Sequence, residues 1–420
     1  MSTTTNSPPT ALPIIIAGGG CVGLFLAHLL AQSALPNRIL VIEPTAPDPT
    51  STRAMAHQPL ILPLFARAGL MPELTRLSSL SRGLCFRTSV PNGSRLIAGK
   101  VFQEGEKAQL LLPQGRFQEV LVRRVEGSGR ACVRWGWRVA GFEEIGGESG
   151  DGSGSGERGC VRVRIEDGKG GMEEIDAVYL VGADGSKSQV RRSLGLDFAG
   201  ETLPTQLVAT DIVYDFQAQG FYDANFIVDP EHYGLIGRID NEGLWRVSYG
   251  VPAETSEEEI RRGVDEKLRK MMPDGGESGF EVKRVAPYKA QQRCVEAFWR
   301  GRVGVVGDAA HLTNPYAGLG LASGIADASS LASVLIRILS SEAANTESLL
   351  SSWSVARRQK FLSVVDKPSR MAYARVKTKV DTEEEIKAML GKDPLVNALK
   401  QGMPMMPPSL ETKVEELEGW

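Results

Sequence analysis

Apolar and polar positions divide the chain into two textures. Near the start, Leu12–Ala17 (LPIIIA) reads as a short buried strand, the spacing from Val22 to Gln32 as a helix, and Arg38–Ile42 (RILVI) as a second buried strand. Together they make a strand–turn–helix–strand unit of about 30 residues. Val161–Ile165 alternates as a strand, and Ala177–Val181 leads another into the turn VGADGS. From about residue 205 to 285 strand-like segments dominate (QLVATDIVYDF, NFIVDP, YGLIGRI, LWRVSYGV), joined by short polar turns. That stretch predicts an antiparallel sheet with one wet face. Arg302–Val306 returns to a buried strand, an amphipathic helix spans about Leu321–Leu339, and Thr382 with Glu385 forms a capping box for a further helix.

The expected fold is therefore α/β, with a parallel nucleotide-binding domain interrupted by an antiparallel one. Its boundaries are a loose tail over 1–10, a first part over 11–204 with a flexible Gly/Ser insertion near 145–160, the antiparallel domain over 205–285, a second part over 286–345, and C-terminal helices and an arm over 346–420.

Composition narrows the function. The 48 basic residues against 51 acidic ones give a net charge of −3, which disfavours a nucleic-acid binder. Five scattered cysteines and four histidines form no CxxC pair or Cys/His cluster, so no metal site and no disulfide framework is expected. The plain reading is a reduced, cytoplasmic protein. Leu12–Leu30 is apolar enough to imitate a membrane segment, but Gly18–Gly20 interrupt it, and no membrane association is expected. Between Trp353 and Lys379 eight basic residues face a single acid; the acids of DTEEE follow, so a solvated helix face is the simpler reading.

The chemistry begins at Gly18-Gly19-Gly20-Cys21-Val22-Gly23, which satisfies GxGxxG at Gly18, Gly20 and Gly23. The first glycine permits a tight turn, the second lets a pyrophosphate approach the backbone, and the third lets helix and strand pack closely. Glu43, at the end of the second strand, is placed to accept hydrogen bonds from an adenosine ribose and disfavours a 2′-phosphate. FAD or NAD is the expected ligand. Cys21, at the helix start, is read as a small packing residue rather than an activated thiol.

Two more patterns decide between them. YLVGADGSKSQVR (Tyr179–Arg191) and VGVVGDAAHLTNPYAGLGLASGIAD (Val303–Asp327) resemble the DG and GD fingerprints of the FAD-dependent aromatic hydroxylases, the class A flavoprotein monooxygenases related to p-hydroxybenzoate hydroxylase. The resemblance runs from about residue 13 to 360. It implies a discontinuous Rossmann-type FAD-binding domain of the glutathione-reductase-like kind, in which Asp308 hydrogen-bonds the ribityl chain and Pro315 sets its carbonyl beside the flavin. Gly318, Gly320, Leu321 and Ala322 would offer backbone N–H groups to the reduced flavin's negative charge; the family usually has Asn at the position of Ala322. Arg53 would lie near the pyrophosphate, Gln114 would touch FAD, Val139 would pair with adenine through its backbone, and Asp184 with Gly185 would form the DG motif. His311 would give structural support.

Relatives reduce FAD with NAD(P)H, bring O2 to flavin C4a and oxygenate an electron-rich ring. The expected activity is hydroxylation or epoxidation of an aromatic or polyketide-like small molecule, by a monomer or homodimer. Arg238, in a strand position similar to the substrate-anchoring arginine of p-hydroxybenzoate hydroxylase, and Tyr249, as a group that polarises a phenol, are the candidate catalytic residues. Tyr222, His232, Trp245, Arg246 and Tyr316 are further pocket candidates, with His232 favoured as a turn residue. A reductase or oxidase on the same scaffold, or an FAD binder without turnover, is the alternative. RWGWRVA superficially resembles the tryptophan motif of flavin halogenases but lacks its isoleucine–proline ending, which ranks halogenation low.

Overall fold

The computed structural model describes residues 11–146, 159–341, 343, 345–403 and 408–417. The expected tail over 1–10 and most of the expected Gly/Ser insertion lie outside them.

The chain opens with β1 (Ile14–Ala17), α1 (Cys21–Ala31) and β2 (Ile39–Glu43). It then leaves to form β3 (Gly83–Thr88) and β4 (Leu96–Val101), and returns through α2 (Gln114–Glu126) to β5 (Ala131–Trp135) and β6 (Tyr179–Gly182). Next come β7 (Phe198–Val213), β8 (Ala224–Val228), β9 (Gly234–Arg238), β10 (Leu244–Pro252), α3 (Glu257–Arg269) and β11 (Glu281–Val295). The last strands are β12 (Trp299–Arg300), β13 (Val303–Val305) and β14 (His311–Leu312). Among the described residues five α-helices follow: α4 (Gly320–Leu339), α5 (Thr346–Lys360), α6 (Lys367–Val376), α7 (Glu383–Lys392) and α8 (Pro394–Lys400).

Two large sheets organise these elements. The first has the order β12-β13-β6-β1-β2-β5. All its pairs are parallel except the β12–β13 edge. β1 is buried along its whole length, as its uninterrupted Ile14, Ile15 and Ile16 require of a strand covered on both faces. The second sheet has the order β14-β11-β7-β10-β9-β8-β3-β4. It is antiparallel apart from the β8–β3 pair. It thus takes in residues 83–101 and runs past residue 285, beyond the stretch whose texture announced it.

The expected wet face of this second sheet is covered across β7 and β10. One face of β7 and β10 (Val208, Ile212, Trp245, Val247, Tyr249) packs on Ile260, Val264 and Leu268 of α3. The opposite face turns toward the nucleotide-binding half, and even its charged members Asp211 and Arg246 are buried. Polar side chains there therefore meet protein rather than solvent.

Among the described residues one helix, α4, is long and apolar enough to cross a membrane, and 67% of its most apolar window is buried inside the fold. It packs against α1 in the core beneath the parallel sheet. Four of the basic residues in 353–379 pair with acids: Arg357 with Asp327, Arg370 with Asp366 and Glu201, Arg375 with Asp393, and Lys379 with Asp381 and Glu385. The capping box at Thr382 and Glu385 forms as its spacing requires.

Candidate active site

The glycine loop lies between β1 and α1. Gly18 has φ +107°, and a Cβ there would fall 2.3 Å from the Ala183 carbonyl oxygen; one at Gly23 would fall 2.1 Å from that of Gly18. Both positions are closed by protein. At Gly20 a Cβ would meet nothing within 4 Å. The loop is therefore tight on its inner side and open where a diphosphate would approach the first turn of α1, a geometry that fits a dinucleotide. Glu43 accepts from the Gly19 N–H (2.7 Å) and from the Thr45 N–H (2.9 Å), which fixes the carboxylate at the loop. Gln118 donates to the Gly19 carbonyl (2.7 Å) from the second turn of α2.

The GD turn converges on the same helix start. Gly307 (φ +60°) is so close to Val22 that a Cβ would lie 3.2 Å from its methyls. The next residue, Asp308, is solvent-reachable and makes no hydrogen bond among the described residues. Surrounding protein pushes its carboxyl pKa up, against the pull of His311 and Arg53. A free acid walled by protein is suited to accept hydrogen bonds from a polyol chain. Pro315 begins a short 3-10 turn that Asn314 caps and Gly318 (φ +63°) ends, and Gly320, Leu321 and Ala322 open α4 directly after it.

The remaining expected FAD contacts have these placements. Arg53 is exposed, its carbonyl accepting from Arg246 (3.0 Å). Gln114 starts α2 and accepts from the Ala54 N–H (3.2 Å), holding the segment that carries Arg53. Asp184 caps the helix Gln189–Ser193 through the Gln189 and Val190 amides, at 2.7 and 3.1 Å. Val139 is buried and paired with Ile165 in a three-stranded antiparallel sheet. Burial pushes the Cys21 thiol up to about 12, so it is no thiolate. No cluster of metal-ligating side chains exists among the described residues.

Opposite this convergence stands the inward face of the second sheet. Cross-strand partners share a face, so register defines its rows. Arg284, Asp211, Arg246 and Gly237 make a polar row, Ala286, Ala209, Ser248 and Leu235 a small-residue row, and Tyr288, Leu207 and Gly250 a third. Tyr233 extends that last row, its hydroxyl lying where a Cβ on Gly250 would be. Contacts from the nucleotide-binding half identify the face: Thr52 donates to Asp211, and a Cβ on Gly237 would strike Met55. Asp211 accepts from Nε and Nη2 of Arg246 at 2.9 and 2.7 Å. Tyr288 is 39% exposed, and its hydroxyl has no partner among the described residues. Surrounding protein nevertheless raises its pKa to about 12, with Arg246 opposing.

The structure sets Arg238 and Tyr249, expected as substrate contacts, away from this inward face. Both have the opposite strand parity. Tyr249 is 1% exposed in the core shared with α3, and Arg238 sits opposite Trp245 with its guanidinium paired to Asp223 at 2.8 and 2.9 Å. Of the other candidates, Trp245 shares that outer core, Tyr222 packs on Gly83 and Gly99, and His232 contacts Lys267 (3.0 Å) in a turn closed by Asp229. Only Arg246 and Tyr316 face inward; Tyr316 packs with Tyr233 and Tyr373, its hydroxyl buried and unpartnered. His311 is buried beside Asp327 and stacks on Phe361. Gln118, Asp211 and Tyr288 join these positions in the structure and were not among the sequence candidates. Gln118 follows Gln114 by four residues and so shares its helix face, a detectable signal. Asp211 and Arg246 stand out as charges within apolar strands, whereas nothing local distinguishes Tyr288.

The chain matches the FAD binding domain family over residues 11–367. It is 33% identical over 356 residues to para-nitrophenol 4-monooxygenase of Pseudomonas sp. (strain WBC-3), covering 83% of each chain. It is 31% identical over 357 residues to 6-hydroxy-3-succinoylpyridine 3-monooxygenase HspB of Pseudomonas putida, covering 84% of this chain and 86% of that one. The crystal structure of p-nitrophenol 4-monooxygenase PnpA from Pseudomonas putida aligns with a TM-score of 0.81 and 29% identity, over 93% of this chain and 96% of that one. With an open glycine loop, a free acid at the GD turn and these relatives, the chain belongs to the class A flavoprotein aromatic monooxygenases and is an FAD-dependent enzyme.

Proposed function

We propose that the enzyme uses NAD(P)H and O2 to oxygenate a phenol or hydroxylated heteroarene at the ring carbon para to its hydroxyl. The names of two relatives favour this position: carbon 4 of para-nitrophenol and carbon 3 of a 6-hydroxypyridine both lie para to the hydroxyl-bearing carbon. The observation that carries the reading is the inward row of β11, β7 and β10, where Tyr288 offers an unpaired hydroxyl above a floor of small residues.

FAD, when bound, supplies reducing equivalents from NAD(P)H and activates O2 for transfer to the ring. Gly20, the first turn of α1, Arg53 and Asp308 would hold its diphosphate and ribityl parts. The protein's task is then to orient the ring and keep water out. Ala286, Ala209 and Ser248 leave a shallow floor on which a ring can lie. With a pKa of about 12 the Tyr288 phenol stays protonated near neutral pH, so it donates a hydrogen bond to the substrate oxygen and does not act as a base. The Asp211–Arg246 pair fixes the polar end of the wall.

The test supplies the FAD-loaded enzyme with 4-substituted phenols, NADH or NADPH, and 18O2. Phenol-stimulated NAD(P)H oxidation with one labelled atom at the para carbon is expected. Peroxide release without labelled product across the panel, or label ortho to the hydroxyl, overturns the proposal.

A further inference from the structure

The family match ends at residue 367, yet residues 408–417 return to the nucleotide-binding core, where Leu410 and Leu417 are 1% and 3% exposed. Between them the arm meets a buried charge network. Asp327 of α4 is fully buried. Its Oδ2 accepts from the Gly307 N–H (3.0 Å) and contacts His311 Nε2 (2.6 Å), while Oδ1 accepts from Arg357 Nε (2.8 Å). Arg357, also fully buried, spends Nη1 on the arm, donating to the Leu410 carbonyl (2.7 Å) and the Thr412 hydroxyl (2.9 Å). One continuous chain of charged hydrogen bonds thus runs from the arm to the amide directly before Asp308.

We propose that the C-terminal arm, acting through Arg357 and Asp327, is a positioning element for FAD that fixes the turn presenting Asp308 to the cofactor. Without the arm, Arg357 keeps buried donors with no acceptor. A buried guanidinium in that state rotates away or admits water, because unpaired charged donors are costly to bury. Either response loosens the counter-charge on Asp327 and so the anchor on Gly307. Gly307 rests on Val22, so movement there reaches the start of α1 as well. Asp327 and Arg357 are positioning residues, since neither touches the cofactor space. The inference rests on Asp308 being an FAD contact.

FAD affinity is read by flavin fluorescence quenching well below the melting temperature, with apo-protein melting followed in parallel. Arg357→Lys, and a chain ending at residue 407, should raise the FAD Kd by about tenfold, and Thr412→Val by about threefold. Leu417→Ala removes arm packing but not the network, and should lower the melting temperature while leaving Kd unchanged. If the shortened chain does not fold, Arg357→Lys and Thr412→Val carry the test. Asp308→Ala separates the two claims. If it weakens FAD binding and both network variants keep the parental Kd, the arm's role is wrong. If Asp308→Ala itself leaves Kd unaltered, the reading beneath the inference has failed, and the inference with it. A Kd that rises equally in Leu417→Ala also overturns the proposal, because general loosening then explains the effect.

Discussion

The parallel sheet and the antiparallel sheet meet the same ligand space in different ways. The first presents its groups from strand ends and the loops that follow: the glycine loop after β1, Glu43 at the end of β2, and Asp308 just after β13. The second presents a face, taking one residue from each of several strands for every row. A strand end is a local object, written in consecutive residues. A face is a product of register and parity, and a shift of one residue exchanges all its members.

That contrast sets how destructive a substitution should be. The largest effect is expected at the wall, where Asp211→Ala strands the buried guanidinium of Arg246 and should lower unfolding stability by about 3–5 kcal/mol in urea titrations. A loss below about 1 kcal/mol would mean that the pair is not a fixed part of that face.

Next come two glycines three residues apart. Gly23→Ala forces a methyl against the Gly18 carbonyl and should cost about 3 kcal/mol of apo-protein stability, read by thermal melting. Gly20→Ala meets open space, so apo stability should hold while FAD affinity falls about tenfold. Equal effects at the two positions would remove the distinction between closed and open sides of the loop.

The segment joining the two regions carries a pH signature. His57 is buried between Phe65 and Phe117, and burial pushes its pKa down to about 4. The unfolded chain takes up this proton near pH 6.5 and the folded one only near 4. Its contribution is therefore present above the unfolded value and is lost as pH falls through that window. Up to about 3 kcal/mol should disappear between pH 6.5 and 4 in denaturant titrations, and His57→Leu should flatten that slope.

The same contrast explains what could be read from residue order. The turns at GxGxxG and the GD run, and the place of Glu43 at a strand end, were legible because each is encoded within a few neighbours. The helix at Thr382 was legible from its capping pair. The wall proposed for the substrate was not. Arg238 and Tyr249 have suitable chemistry, but parity turns them toward Asp223 and α3, while Tyr288 two strands away carries no local mark. The expected wet face failed for the same reason: alternation reveals two faces but not what covers the second. The contribution of β3 and β4 was hidden because 83–101 joins strands more than 120 residues later.

The smallest energies give the sharpest test. Tyr249→Phe and Tyr288→Phe each remove one hydroxyl, from opposite faces of one sheet. The decisive measurement is 18O incorporation into a 4-substituted phenol under 18O2, scored as kcat/KM and as labelled product per NAD(P)H consumed, for both variants of the FAD-loaded enzyme. Tyr288→Phe should lower kcat/KM by about tenfold and uncouple oxidation from oxygenation, with Tyr249→Phe within about twofold of the parent. Loss of coupling in Tyr249→Phe with Tyr288→Phe unaffected would place substrate on the wrong side of the sheet and contradict the account.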